Sequence, residues 1–393
     1  MSESSIVILG AKRTPIGAFQ GALSGLTAPQ LGATAIAAAL EQSGLAGADI
    51  DEAVMGCCLF GGLKQAPARQ AVLGAGLPAS VPCATVSKMC GSGMKAALQV
   101  HDAILAGHGE FGMAGGMESM SNAPYLLGKA RAGYRLGHGQ LLDHMFHDGL
   151  EDAYEGQLMG HYADLVAAAA GIGRDRQDAY AAESVRRAQS AIVEGAFAAE
   201  IAPVRIRDRK GEATIDIDET PGRCELAKIA TVKPAFRAGG TVTAANASSI
   251  SDGAAALVLA DAAAARRRGL APIARIVASA GFAAAPGEFP TAPIPAIERV
   301  LAKAGWSVGE VDLFEINEAF AVVALLAMDA LDLPAQKVNM LGGACALGHP
   351  IGATGARLLV TLIHALRQRG LKRGIAALCI GGGEATAMAI EIP

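Results

Sequence analysis

The chain runs to 393 residues, of which 52% are hydrophobic and 18% charged, with 49 glycines and 17 prolines. That length fills two or three ordinary domains, and the glycine and proline content excludes a collagen-like or low-complexity chain. Lys and Arg (33) nearly balance Asp and Glu (37), so the net charge of −4 argues against a general nucleic-acid binder.

No apolar run is long enough to cross a bilayer, and the N-terminal MSESSIVILGAKRTPIG has no basic stretch before its short apolar run. No signal peptide is therefore expected, and the composition reads as that of a soluble, cytoplasmic protein. In chain order, IVILG at 6–10 reads as a buried strand and 29–42 as a helix. AVMGCCLF at 53–60 reads as a second strand, 93–106 as a helix and GMAGG at 112–116 as a third strand. This alternation predicts an α/β protein whose helices cover buried sheets. Residues 121–249 are richer in charge and turns and include an amphipathic helix, RDRQDAYAAESVRRAQSAIVEGA. They read as an inserted domain. The core pattern returns at 250–269, where Arg266-Arg267-Arg268 reads as a solvated helix end, and a second α/β unit runs to the C-terminus. The division expected is 1–120 with 250–270 as one half, 121–249 as the insertion, and 271–393 as the other half.

Internal similarity supports two halves. IDEAVMGC (50–57) resembles VDLFEINE (311–318), GSGMKAAL (91–98) resembles ATGARLLV (353–360), and AGGMES (114–119) resembles IGGGEA (380–385). The three matches keep one order and nearly one separation. A duplicated fold commonly sets its active site where the halves meet.

Seven cysteines, none spaced C-x-x-C, exclude a full disulfide framework and argue against a zinc site. Four segments carry residues suited to chemistry. In TVSKMCGSGMKAAL, Cys90 follows a strand-like lead and precedes Gly-Ser-Gly and a helical run. A helix N-terminus there would favour a thiolate and offer N–H groups to an oxyanion. A buried structural cysteine fits the same pattern. In GGACALGHPIGATGARLL, His349 lies between a Gly-rich turn and a helix whose first turn Pro350 suits, a place that keeps imidazole neutral. In LCIGGGEATAMAIEI, Cys379 ends an apolar strand, and Gly381–Gly383 form either a tight bend or a nest of N–H donors. In FEINEAFAV, Asn317 and Glu318 end an apolar strand, where polar groups need partners or a task.

Together, Cys-Gly-Ser-Gly at 90–93, Asn-Glu-Ala-Phe-Ala at 317–321, Gly-His-Pro-x-Gly-Ala-x-Gly at 348–355 and Cys-x-Gly-Gly-Gly at 379–383 resemble the thiolases. The resemblance covers essentially the whole chain, including AKRTPIGAF, GGMESMSNAPY and KPAFRAGGTVTAANASSISDGAAA. It is strongest to the short-chain biosynthetic branch, the acetyl-CoA acetyltransferases. It implies an α/β fold with a five-layered αβαβα core built from two duplicated halves, a loop domain being inserted in the first. The implied reaction is reversible Claisen condensation of two acetyl-CoA to acetoacetyl-CoA and CoA, by a ping-pong route through acetyl-Cys90. In that scheme Cys90 is the nucleophile, His349 takes its proton, and Cys379 is the acid/base at the α-carbon or the leaving thiol. Asn317 fixes a water that forms one oxyanion hole with His349, and the N–H groups of Cys90 and Gly381 form the other.

The resemblance further places Leu150, Met159, Phe236, Ala244, Ser248, Ala319 and Phe320 along the pantetheine. Arg223 and Lys228 fall near the nucleotide, and Phe289 joins Met159 and Phe320 on the acyl-pocket wall. No metal or cofactor is implied, coenzyme A being substrate and product. The implied assembly is a homo-oligomer, a tetramer ahead of a dimer, without nucleic-acid or membrane partners. Three positions depart from the family's usual residues: Ser87 for Asn, Leu158 for His, and Glu384-Ala385 for Met-Gly.

Other readings compete with this one. A nucleotide-binding oxidoreductase needs a G-x-G-x-x-G after the first strand, which is missing. A silent CoA-binding protein on the same fold would require loss of Cys90, His349 or Cys379. Within the same class stands a broader 3-ketoacyl-CoA thiolase of fatty-acid degradation.

Overall fold

A computed structural model describes residues 5–208 and 211–393. The first half is built from β1 (Ile6–Arg13), α1 (Ala28–Ser43), β2 (Glu52–Gly56), α2 (Pro67–Gly74), β3 (Cys83–Val86), α3 (Ser92–Leu105) and β4 (Phe111–Ser119). The long segment that follows contains α4 (Met159–Ala169), α5 (Arg174–Val193) and the antiparallel pair β5 (Val204–Asp208) and β6 (Gly211–Ile215). The chain then rejoins the first sheet as β7 (Ser251–Asp261). The second half is β8 (Ala274–Ala283), α6 (Pro293–Ala304), β9 (Leu313–Ile316), α7 (Ala321–Ala330), α8 (Ile351–Gln368), β10 (Arg373–Ile380) and β11 (Glu384–Glu391).

The halves repeat one strand pattern. In the first the order is β3-β2-β4-β7-β1, with β2 parallel to β3 and β4, and β7 antiparallel to β4 and β1. In the second the order is β9-β10-β11-β8, with β9 parallel to β10 and β11 antiparallel to both neighbours. A parallel bridge from Phe314 to Val338 stands where β3 stands in the first half. The two sheets meet along β1 and β8 through the pairs Val7–Arg275 and Ile8–Ala274.

Strand alternation makes the layers, because successive side chains point to opposite faces. Ile6 and Ile8 of β1, with Leu257 and Leu259 of β7, face α3 and α8, as do Leu378, Met388 and Ile390 from the other sheet. Val7, Leu9 and Val258 face outward onto Leu31, Ile36 and Ala39 of α1. Phe314, Ile375 and Ala387 face outward onto Ile297 and Val300 of α6. Among the described residues this gives the order α, β, α, β, α expected from the sequence.

Two expectations on element limits need correction. The strand predicted over 53–60 ends at Gly56, because the N–H groups of Cys58 and Leu59 turn to the Glu118 carboxylate instead of a neighbouring strand. Pro350 is the residue before α8, which starts at Ile351, so it caps the helix without entering its first turn. The repeated Ser-Gly and Thr-Gly pairs have a packing cause. A Cβ on Gly93 would lie 2.7 Å from Ala356 N, and one on Gly355 2.5 Å from Met94 N, so the two central helices cross where neither carries a side chain. No helix among the described residues is long and apolar enough to cross a membrane.

Candidate active site

Residues from both halves converge on a cavity of about 360 Å³ lined by Cys90, His349, Cys379 and Gly381. Cys90 stands just ahead of α3, in a turn whose Met89 has φ +45°. A non-glycine residue in that region costs about 1–3 kcal/mol and must be held there. Ser92 does this: its Oγ accepts the Lys88 N–H at 2.8 Å and donates to Met89 O at 2.7 Å. The backbone N–H groups of Gly381 and Cys90 both act on the Cys90 sulfur.

The sequence argument expected a helix terminus to stabilise a Cys90 thiolate. The structure reverses that expectation for the resting state. Burial pushes the thiol up to about 11, outweighing the two N–H donors, and the charge of Glu118 acts in the same direction as burial. Cys90 therefore waits as a thiol and needs a base.

His349 is suited to be that base. Burial, reinforced by the Arg357 guanidinium, lowers its pKa to about 3, so the imidazole is neutral. Its tautomer follows from Thr354. The Thr354 hydroxyl gives its only proton to Pro350 O at 2.9 Å, so the 2.5 Å contact with His349 Nδ1 requires the ring to donate there. Nε2 then carries the ring's lone pair, turned to the Asn317 side-chain N–H. The Asn317 side-chain amide lies 3.4 Å from Nε2, and its Oδ1 makes no hydrogen bond within the protein.

Cys379 is the penultimate residue of β10 and is buried. Burial, with the proximity of Cys90, raises its thiol well above the ordinary range. The three glycines that follow are the β10–β11 hairpin turn, with Gly382 at φ +94° and Gly383 at φ +88°. A Cβ on Gly383 would lie 2.6 Å from Ala284 O and Ala285 O. Gly381 faces the cavity, where a Cβ would approach Met159 and Met89.

Above this floor the wall is apolar. Leu150, Met159, Phe236, Ala244, Ser248, Phe289, Ala319 and Phe320 all line it. Phe320 meets Phe236 edge-on at 5.9 Å and Phe289 at 6.2 Å, and Phe289 is buried behind them. Ser248 donates its hydroxyl to Ala319 O at 3.0 Å, leaving its lone pairs as acceptors. Arg223 and Lys228 stand apart from this wall, on exposed turns where they pair with Glu219 and Glu225. Sequence reasoning missed Phe146, Gly149 and Ile250 on the wall and Thr354 behind His349. Only Thr354 had left a trace, in its match to Ser92. Glu384, one of the departures, pairs with Lys88 just ahead of the Cys90 turn. Leu158, another, lies on the cavity wall.

Comparison with known proteins extends over the same residues. The thiolase N-terminal domain matches residues 6–263 and the thiolase C-terminal domain residues 270–392. An acetyl-CoA acetyltransferase of Escherichia coli is 48% identical over 98% of both chains, and one of Pseudomonas aeruginosa is 47% identical over 98% of both. The crystal structure of a Bacillus anthracis acetyl-CoA acetyltransferase superposes with a TM-score of 0.97 at 41% identity, covering 99% of each chain. An Ascaris suum thiolase in complex with coenzyme A gives 0.93 at 40% identity, covering 99% of this chain and all of its own. With both domains matched in order and relatives alike along nearly their full length, the chain belongs to the thiolase family of acyltransferases.

Proposed function

We propose that the protein is an acetyl-CoA C-acetyltransferase, joining two acetyl-CoA into acetoacetyl-CoA and CoA and running the reverse thiolysis. The observation that carries this is the cavity floor: a thiol under two N–H donors, a neutral imidazole with Nε2 unprotonated, and a second buried thiol.

In the first half-reaction His349 Nε2 takes the Cys90 proton and the sulfur attacks the thioester carbonyl. The N–H groups of Cys90 and Gly381 receive the oxyanion. Collapse expels the CoA thiolate, which takes the Cys379 proton, leaving acetyl-Cys90, a Cys379 thiolate and protonated His349. In the second, Cys379 removes an α-proton from another acetyl-CoA. The enolate oxygen is held by His349 and by a water on Asn317, whose Oδ1 is free to accept it. The α-carbon attacks acetyl-Cys90, and the departing Cys90 thiolate regains its proton from His349. Atoms and protons return to the start.

In this reading residues 121–249 act as the loop domain that binds coenzyme A. Its pantetheine runs past Leu150, Met159, Phe236, Ala244, Ser248, Ala319 and Phe320, with Arg223 and Lys228 near the nucleotide. The active unit is a homo-oligomer, a tetramer of paired dimers. The unpaired outer edge of β3 and the arm bearing Leu136 and Leu141, 98% and 64% exposed, support that assembly. A mechanism with two working thiols suits a reducing compartment, which favours the cytoplasm.

Chain length decides between this activity and a broad 3-ketoacyl-CoA thiolase. Each methylene accepted by an open apolar tunnel contributes about 0.8 kcal/mol, whereas displacing packed side chains costs about 1–3 kcal/mol. Phe289, packed on Phe320, closes the pocket. The expected result is a highest kcat/KM in thiolysis for acetoacetyl-CoA, falling with six- and eight-carbon substrates and partly restored by Phe289→Ala. Equal or higher kcat/KM for the longer substrates in the wild type would assign the broad-range activity instead.

A further inference from the structure

Behind the side chains that face the cavity lies Glu118, in β4 and fully buried. Its carboxylate accepts four donors. Oε2 takes the N–H groups of Cys58 at 3.0 Å and Gly352 at 2.8 Å, while Oε1 takes the Leu59 N–H at 3.0 Å and the Cys57 thiol at 3.5 Å. Burial raises the pKa of this carboxyl, and the three backbone N–H groups and the Cys57 thiol act against it by favouring the carboxylate.

The four partners lead to both reacting groups. Gly352 lies in the first turn of α8, three residues beyond His349. Cys58 sends its thiol to Met89 O at 3.2 Å and sits 3.2 Å from Ser92 Oγ, the two groups that hold the Cys90 turn. The fit has no slack. A Cβ on Gly116 would lie 2.0 Å from Gly352 O, and one on Gly352 would lie 2.8 Å from Glu118 Oε2 and 2.9 Å from Cys57 Cα. A single carboxylate of the first half thus fastens the helix start that presents the base of the second half. It also fastens the loop beneath the nucleophile.

We propose that Glu118 is a positioning residue for the thiolase reaction: its carboxylate, fastened to the start of α8 and to the loop beneath Cys90, sets Cys90 against His349 across the two halves. The charges around both groups agree with this role. Burial is the main force against a Cys90 thiolate; the N–H groups of Gly381 and Cys90 favour it, the Glu118 charge adds to burial, and the neighbouring Cys58 and Cys379 thiols add no positive charge. His349 is neutral, and Lys88 is engaged by Glu384. Around Glu118 itself stand the thiols of Cys57 and Cys58 and, at the N-terminus of α8, the Gly352 N–H, which favours the carboxylate while burial disfavours it.

This inference rests on Cys90 and His349 as nucleophile and base, and the experiment separates the two levels. Wild type, Glu118→Gln and Glu118→Asp are compared in acetoacetyl-CoA thiolysis, and in iodoacetamide alkylation of Cys90 followed by mass spectrometry across neutral to alkaline pH. Glu118→Gln is expected to lose about 10- to 100-fold in kcat, the scale of a lost charge-assisted hydrogen bond, with KM changed less than about 3-fold. Its alkylation profile should move to lower pH. Glu118→Asp keeps the charge but withdraws it by one methylene, so it should lose kcat while its alkylation profile stays at the wild-type position. Unchanged kcat in Glu118→Gln, or a loss of kcat with an unmoved alkylation profile, overturns the role of Glu118 and leaves the nucleophile in place. Failure of wild-type Cys90 to label preferentially overturns the assignment beneath it. Should Glu118→Gln not fold, wild-type kcat in Glu118→Asp overturns the inference.

Discussion

Cys90 and His349 line one cavity as a thiol and a neutral imidazole, so an ion pair between them exists only during turnover. Because burial holds Cys90 at about 11, alkylation of the resting enzyme should accelerate steadily as pH rises through neutrality, without a plateau near pH 7. Cys57, Cys58 and Cys345 are buried off the cavity and Cys379, though on its wall, is buried, whereas Cys90 lines the cavity and is partly exposed. Iodoacetamide should therefore label Cys90 first, and acetyl-CoA should protect it. Faster labelling of Cys224, indifferent to acetyl-CoA, would remove Cys90 as nucleophile. Thr354 gives a second prediction. Thr354→Val deletes the acceptor of the His349 Nδ1 proton and frees the ring to adopt the wrong tautomer. A buried bond of this kind is worth about 1–3 kcal/mol, so kcat should fall about 10- to 100-fold at nearly constant KM, and Thr354→Ser should restore it. Equal losses in the valine and serine variants would show that the hydroxyl is not what matters. Cys90, His349, Cys379 and Asn317 stood out in the sequence as residues interrupting apolar or Gly-rich runs, but only their joint resemblance to the thiolase motifs suggested roles for them. Thr354 did not stand out, since a threonine in a helix shows its partner only once the turn brings His349 onto it.

The central pair α3 and α8 brings the two halves into register, and their crossing depends on small residues. Adding a methyl at Gly93 forces it against Ala356 N, backbone that cannot swing aside. Gly93→Ala should therefore cost about 1–3 kcal/mol by overpacking, despite alanine's better helix propensity. Gly25→Ala meets nothing within 4 Å and should stay within about 0.5 kcal/mol of wild type in urea unfolding. A Gly93→Ala variant as stable as Gly25→Ala would show that the helices can part without cost. The repeat of Ser-Gly and Thr-Gly made these helices visible in the sequence as equivalents, while the reason for the glycines appeared only when the helices were seen to cross. The misplaced end of β2 has a related cause. Cys57-Cys58-Leu59 is as apolar as the strand before it, but the N–H groups of Cys58 and Leu59 go to Glu118, whose side chain lies 60 and 59 residues away in the chain. Apolar pattern reports burial and is silent on which partner satisfies the backbone.

The segment between β4 and β7 leaves and re-enters the first sheet at neighbouring points, Ser119 pairing with Asp252. Some further contact must fix it to the core, and Arg13 of β1 supplies one. Its guanidinium gives Nε to Glu200 at 2.5 Å and both terminal nitrogens to Asp218 at 2.7 and 2.8 Å, and it lies over the Phe197 ring at 5.0 Å. Thr361 of α8 reaches the same Glu200 oxygen at 3.1 Å, so the cluster joins the segment to both halves. The sequence showed Arg13 only as a charge at the end of an apolar strand, because its partners stand 187 and 205 residues away. All three side chains are fully buried, and such a cluster contributes little net stability against desolvation, but losing one partner strands the others. Arg13→Met would leave two carboxylates without their cation, at a cost of about 3–5 kcal/mol. Arg13→Lys should recover only part of it, since an ammonium cannot span Glu200 and Asp218 with the same fork. Because both carboxylates lie in 200–218, the loss should appear there first, as protease cleavage around these residues at denaturant concentrations that leave the wild type intact. Uniform destabilisation, with cleavage spread along the chain, would mean that Arg13 stabilises β1 and that the segment is held to the core by other contacts.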